Sequence, residues 1–526
     1  MSTVGTAGFR WAALLLAGLL AAACSSSSGG NDAGPEDAAD GAAGADGDAE
    51  QADGDAGQAD GNDDQAGDAS GDPGQQHRPY LGILQFDVRH NLQDDSCLAR
   101  DDCHLSLENE DDIAGWLGQI AAVTDLAVLH WDRSIPWLVF AAEVPAGGDR
   151  VAFYDSRLDD GLRAWIDAFA AHFAALPHRY LALTPLNGVR DSISPARIDG
   201  SDDIAVAASC PVLAPGTQVQ FSYDTGNGQQ QASFDLQRAF TNFTLYLYDK
   251  LHPEYLALLI EANIFKNNCP EQWTGLVELY RAVHDAVRAE VGAGVKLFAT
   301  LTFKDLLAYE VDRCVPLQFE DCTGSPSPPN YPQPNPLACF PLDLSALADL
   351  DQGDRLDLLA LSFYPDALVM AVGEENLLRV YAEDWDGSSP CLMRAPYIPF
   401  SDPFAALERF GWHKPVAMAE IGARSCPALA YLQDGNNTMI LQPSADLSSQ
   451  AFWLEHGLST AEQHHFEFYV QSFLRDYQPL GLWTVRQDIL DPFIFSVFNT
   501  FSCMGLYDDQ GQPKSPVTDT WEAHRH

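Results

Sequence analysis

Eight short apolar runs, interleaved with longer stretches of helical spacing, constrain this chain more than any other feature. They are Tyr80–Phe86, Leu126–His130, Tyr180–Thr184, Leu256–Glu261, Lys296–Leu301, Leu358–Phe363, Val416–Glu420 and Leu480–Val485. Between them lie amphipathic segments at Ile113–Val123, Leu158–Ala175, Phe234–Leu251, Glu271–Val291 and Ser459–Tyr477. The last opens on Ser459 and Glu462, the spacing of a capping box. Short strands alternating with helices indicate a parallel sheet. Eight such units predict an α/β fold of the (β/α)8, or TIM-barrel, type. Four connections are long: Asn187–Ser233, Lys304–Leu350, Asp366–Gly411 and Arg424–Leu458. The second contains the proline-rich run from Ser325 to Pro336, which cannot be helical. All four follow strands, so these insertions are expected to crown the C-terminal face, where barrel enzymes carry their sites.

The barrel is expected to occupy residues 77–526, because the residues before it have a different composition. Residues 31–73 hold fourteen Asp and Glu, no Lys or Arg and no aromatic. Such a stretch buries too little apolar surface to offset its conformational entropy, and its like charges extend it. Residues 24–76 therefore read as a disordered acidic tether. Ahead of it, Arg10 and an apolar run from Trp11 to Leu20 have the size of a signal peptide, too short for a permanent membrane span. The run ends Leu19-Leu20-Ala21-Ala22-Ala23-Cys24, which resembles the bacterial lipobox, with Ala21 standing where that motif prefers leucine. The resemblance implies removal of residues 1–23, acylation of Cys24 and anchoring to the cell envelope of an exported lipoprotein; an ordinary secretory signal is the alternative.

The formal net charge is −46, and setting aside the fourteen tether acids and Arg10 leaves −33 on residues 77–526. That excess argues against nucleic acid and against docking on anionic lipid, and suits a neutral or cationic partner. Beyond Cys24 there are ten cysteines, an even number that in an exported chain predicts disulfides. Cys97 with Cys103, and a pair within Cys314, Cys322 and Cys339, are the proximal choices. No Cys-x-x-Cys occurs, and the adjacent His464 and His465 do not share a helix face, so no metal site is expected. No P-loop, dinucleotide fingerprint or Gly-x-Ser-x-Gly elbow is present in the required context, and no cofactor is expected.

Two of the runs end in glutamate: the fourth at Glu261 and the seventh at Glu420. A carboxylate closing an apolar strand is costly to bury unless paired or functional. Strands four and seven face each other across the mouth of an eight-stranded barrel, where two carboxylates can flank one glycosidic bond. Around these residues the sequence resembles the clan of retaining (β/α)8 glycoside hydrolases that includes endo-β-1,4-galactanases and cellulases. Lys414 to Gly422 is similar to the clan's nucleophile motif, Leu361 to Pro365 to its sixth strand and Gly481-Leu-Trp483 to its eighth. The resemblance spans roughly Tyr255 to Asp488. It implies Glu420 as nucleophile, Glu261 as acid/base, Tyr364 in support of the nucleophile and Trp483 as a sugar platform. It also implies a raised pKa for Glu261 and a low one for Glu420. Ile260 stands where the clan carries the asparagine that binds the sugar 2-hydroxyl; Asn263, a second similarity to galactanases, and Tyr364 are candidate substrate contacts.

Asn187 and Trp131 are further candidate substrate contacts; for Trp131, core packing is the alternative. Arg190 and His130 are candidate neighbours of the glutamates. An arginine near Glu420 would hold it ionised, whereas a salt bridge to Asp191 or another surface acid is the plainer role for Arg190. The leading expectation is a monomeric hydrolase of a neutral poly- or oligosaccharide. A non-catalytic glycan-binding or scaffold lipoprotein on a decayed glycosidase barrel is the alternative.

Overall fold

The computed structural model describes residues 77–84, 113–132, 134–198, 204–224, 228–306, 344–364, 412–426, 446–476 and 503–525, with the backbone of a few short strands besides. Eight parallel strand positions form its centre: β1 (Tyr80–Ile83), β2 (Leu126–Trp131), β3 (His178–Leu183), β4 (Tyr255–Ala257), β5 in two pieces (Lys296–Phe298 and Thr300–Thr302), β6 (Leu359–Phe363), β7 (Val416–Ile421) and β8 (Phe468–Gln471). The first piece of β5 pairs with β4 and the second with β6. The sheet order therefore begins and ends on two halves of one strand, and the ring closes through Ala299. Between β8 and β2, β1 completes the circuit. The fold is a (β/α)8 barrel.

The strands were legible because both of their faces are covered. Every residue of β2, β6 and β8 is buried. Strands packed inside and outside read as continuous apolar runs rather than as alternation. Helices α1 (Ile113–Ala121), α2 (Asp160–Ala175), α3 (Leu236–Leu251), α4 (Trp273–Val291), α5 (Ser345–Asp351) and α6 (Leu447–Gln463) lie between them in the chain. Aspartates start three of them: the side chains of Asp159, Asp235 and Asp446 accept from the backbone N–H of Leu162, Arg238 and Ser449.

One unit differs from expectation. The helix expected over Ser459–Tyr477 is instead the last turn of α6, Ser459–Gln463, followed by strand β8. The true capping box lies a dozen residues earlier, where Asp446 and Ser449 bond reciprocally. Ser459 and Glu462 are interior to the helix, which ends at His464, with His465 in the left-handed region at φ 54°. A four-residue strand so close behind a helix offers no period long enough to separate it from that helix. The eighth position belongs to Phe468–Gln471, and the expected run Leu480–Val485 lies outside the described residues.

Two disulfides join described residues, Cys210–Cys269 and Cys426–Cys503, spanning 59 and 77 positions. The closely spaced pairings expected from sequence, together with Cys24 and the acidic tether, lie outside the described residues. Among the described residues no helix is long and apolar enough to cross a membrane.

Candidate active site

Strand ends at the C-terminal mouth of the barrel bring the acidic residues together. On β2, His130 turns inward and donates to or accepts from the Tyr180 hydroxyl at 3.2 Å, while Trp131 turns outward. Trp131 is buried, edge-on to Trp165 of α2 and Phe243 of α3. The expectation that it stacks on sugar is thereby corrected: strand alternation points it at the helices. Trp131→Ala is expected to cost about 3–5 kcal/mol of stability, the range for a deleted core aromatic, measured by denaturant unfolding. Any glycan binding by the folded fraction should be unchanged.

Glu261 follows β4 and caps a short helix, Ala262–Asn268, from the left-handed region at φ 52°. Its backbone N–H donates to Thr300 Oγ1 at 2.8 Å. Non-glycine residues adopt this conformation at a cost, and such positions cluster at functional sites. Ser134 and Arg190 also have positive φ, at 39° and 56°. Asn263 does not face a ligand: it is buried, and its amide brackets Thr302, donating to the carbonyl and accepting from the N–H, both at 2.8 Å. Its expected substrate contact is corrected to a clasp between this helix and β5. Asn187, half-buried, closes its own loop, its side chain accepting from the N–H groups of Asp191 and Ser192 and donating to the Asp191 carboxylate. Small polar side chains of this kind close loops on themselves.

Glu420 owes its direction to a bulge. Leu361 pairs with Met418 but Ser362 pairs with Glu420, so Ala419 is an extra residue in β7. Tyr364 donates its hydroxyl to Glu420 Oε1 and accepts in turn from Ser472 Oγ at 2.9 Å. A side chain at Gly422 would put its Cβ 3.0 Å from that serine oxygen and 2.8 Å from Met504 Sδ, so any larger residue would have to displace Ser472 or Met504. His130 Nδ1 lies 3.9 Å from Glu420 Oε2. Burial pushes the His130 pKa down to about 3, so the imidazole meets the glutamate as a neutral ring.

Arg190 does not pair with Asp191. Its side chain, 3% exposed, contacts Asp132 at 3.0 Å and Glu261 at 3.5 Å. Its charge still reaches Glu420, but burial, and next the negative charge of Glu261, push Glu420 up to about 8. The low value expected for Glu420 is thus corrected. Both glutamates act on the same groups: each adds to Arg190's affinity for its proton, and each raises the hydroxyl pKa of Tyr180 and Tyr364. Two carboxylates with shared neighbours and mutual repulsion titrate as a pair. Reading the sequence missed Asp132, Tyr180 and Ser472. Asp132, two residues past His130 at a strand end, carried a usable signal; Ser472 did not, because its strand went unrecognised. Trp483 lies outside the described residues.

Neither a family model nor a curated protein matches the sequence. Solved structures with similar folds include the exo-β-1,4-mannosidase Op5Man5 from Opitutaceae bacterium strain TAV5, at 16% identity and a TM-score of 0.43 over 85% of this chain. This chain spans 59% of the mannosidase's length. The GH53 catalytic domain of Ignisphaera aggregans gives 13% identity and a TM-score of 0.40, covering 86% of this chain and 98% of that one. A fungal β-1,4-galactanase gives 9% and 0.34, covering 78% and 90%.

Proposed function

We propose that this protein is a retaining glycoside hydrolase acting on a neutral poly- or oligosaccharide. The observation that carries the reading is the convergence at one mouth of Glu261, 3.5 Å from Arg190, and Glu420, bonded to Tyr364 and 3.9 Å from His130. A double displacement uses one carboxyl as acid/base and the other as nucleophile. In this reading Glu420 attacks the anomeric carbon, with its Oε1 aligned by the Tyr364 hydroxyl. Glu261 gives its proton to the departing glycosidic oxygen as that bond breaks. It then takes a proton from water, whose oxygen displaces Glu420 and restores the free carboxylate.

The mechanism needs one proton on the pair. With Glu420 titrating at about 8, the pair keeps that proton through neutral pH, and catalysis uses the form in which Glu261 holds it. The rate is therefore expected to be steady near neutrality and to fall as pH rises through about 8, where the second carboxyl ionises. The proposal places the reaction outside the cell, on the export signal and lipid-acceptor pattern ending at Cys24.

Proton NMR of the first sugar released from an aryl β-glycoside tests the reading. The β-anomer is expected at early times; initial α-anomer would exclude double displacement. Ile260 favours the second reading, a glycan-binding protein without turnover, because its side chain is buried and cannot bind a hydroxyl. Glycan binding that survives loss of both glutamates, without hydrolysis, would select that reading.

A further inference from the structure

We propose that Asp132 and Arg190 form a positioning pair for Glu261: Asp132 orients the guanidinium, and the guanidinium holds the glutamate side chain where it delivers its proton. The inference rests on the two-glutamate reading above.

Arg190 is bonded on all its edges. Nε donates to the Ile260 carbonyl at 2.9 Å, and Nη1 to Asp132 Oδ2 at 3.0 Å and the Asn187 carbonyl at 2.7 Å. Nη2 is left to face Glu261 Oε2 at 3.5 Å. A planar guanidinium with three of its directions fixed has no freedom in the fourth. Glu261, by contrast, leaves β4 in a left-handed conformation and makes no side-chain capping bond to its own helix. Its carboxylate is directed from outside that helix.

The backbone that carries Arg190 is tied to the helix that Glu261 begins. Asn268, the last residue of that helix, donates to the carbonyls of Val189 at 2.9 Å and Arg190 at 3.3 Å. The next residue, Cys269, is disulfide-bonded to Cys210, whose N–H donates to the Asp191 carbonyl at 2.7 Å. Loop and helix thus hold arginine and glutamate in one frame, and Asp132, 17% exposed at the end of β2, is the charged stop against which the guanidinium rests.

The groups around the glutamate pair are His130 and Asp132 from the β2 end, Tyr180 from β3, Arg190 from the loop after it, and Tyr364 following β6. Asp132 raises the pKa of Glu420 and Arg190 lowers it. Neutralising the two charges therefore moves the titration of the pair in opposite directions, which a merely structural role would not do.

The test uses Asp132→Asn, Arg190→Lys and Arg190→Met in the full chain, with aryl glycosides of graded leaving-group ability. A misplaced proton donor matters where the leaving group needs protonation. Asp132→Asn is expected to lose about 100-fold in kcat/KM on phenyl glycosides and less than about 10-fold on dinitrophenyl glycosides. Arg190→Lys should retain more activity than Arg190→Met. Melting temperature against pH gives a readout without turnover: the midpoint assigned to the pair should move down in Asp132→Asn and up in Arg190→Met. A loss uniform across leaving groups, or midpoints that stay put or move together, overturns the pair. An inert wild type whose variants still titrate in opposite directions would sink the hydrolase reading and leave the pair standing. Should Arg190→Met fail to fold, Asp132→Asn and Arg190→Lys carry the leaving-group readout, and the downward midpoint shift of Asp132→Asn, against an unmoved midpoint in the still-charged Arg190→Lys, carries the titration.

Discussion

Glu261→Gln and Glu420→Gln are each expected to lower kcat/KM on a phenyl β-glycoside by at least about 10³-fold with the fold intact. Glutamine keeps the shape of the side chain, so Tyr364 and Arg190 retain a neighbour of the same size. The two losses should differ in kind. Without its acid/base, the enzyme still forms the glycosyl intermediate from a dinitrophenyl glycoside, which needs no protonation, and azide then intercepts it to give a glycosyl azide of retained configuration. Where the nucleophile is cut back, as in Glu420→Ala, azide enters the space left by the carboxylate and the product is inverted. Retained azide from Glu261→Gln and inverted azide from Glu420→Ala assign both roles. Near-wild-type hydrolysis by either variant, judged folded by circular dichroism, would remove the two-glutamate mechanism.

The second large effect is on stability against pH. Glu420 ionises near 4.5 in an unfolded chain and near 8 in the folded one. Between these values the folded state binds more protons than the unfolded state, so this carboxyl's contribution to stability falls as pH rises from about 4.5 to about 8 and is flat above. Each unit of pKa shift is worth about 1.4 kcal/mol, so the loss across this window amounts to a few kcal/mol. Glutamine at 420 cannot ionise. The melting temperature of Glu420→Gln should therefore exceed that of the wild type at pH 9 by several degrees and match it near pH 5. Glu261→Gln removes the repulsion and should shift the wild-type decline to lower pH. Parallel melting curves for wild type and Glu420→Gln from pH 5 to pH 9 would show that Glu420 is not buried beside a second carboxylate.

Both expectations depend on contacts that the sequence discloses only in part. Glu261 and Glu420 stand out because each ends an apolar run, and burying a charge there has a cost that some neighbour must offset. Which neighbour does so is another matter. Arg190 lies 71 positions from Glu261 and 58 from Asp132, and in sequence its nearest acid is Asp191, which the fold turns toward Asn187 and Ser209 instead. Cys210 found Cys269, 59 positions away, for the same reason. A closed ring makes neighbours of strand ends that are far apart in the chain, and no local pattern records the distance between them.

The sequence by itself determined the barrel, because strands buried on two faces must be continuously apolar and the helices between them must be amphipathic. It also determined that glutamates close the fourth and seventh apolar runs. Only the tertiary structure decided that Phe468–Gln471 is the eighth strand, that Trp131 faces the helices, and that a bulge at Ala419 sets the direction of Glu420. It decided, too, that Arg190 rests on Asp132 and Glu261 while Glu420 is pushed toward its protonated form. Periodicity reports which side of an element meets the core; ionisation follows from separations and burial across the mouth, which exist only once the ring has closed.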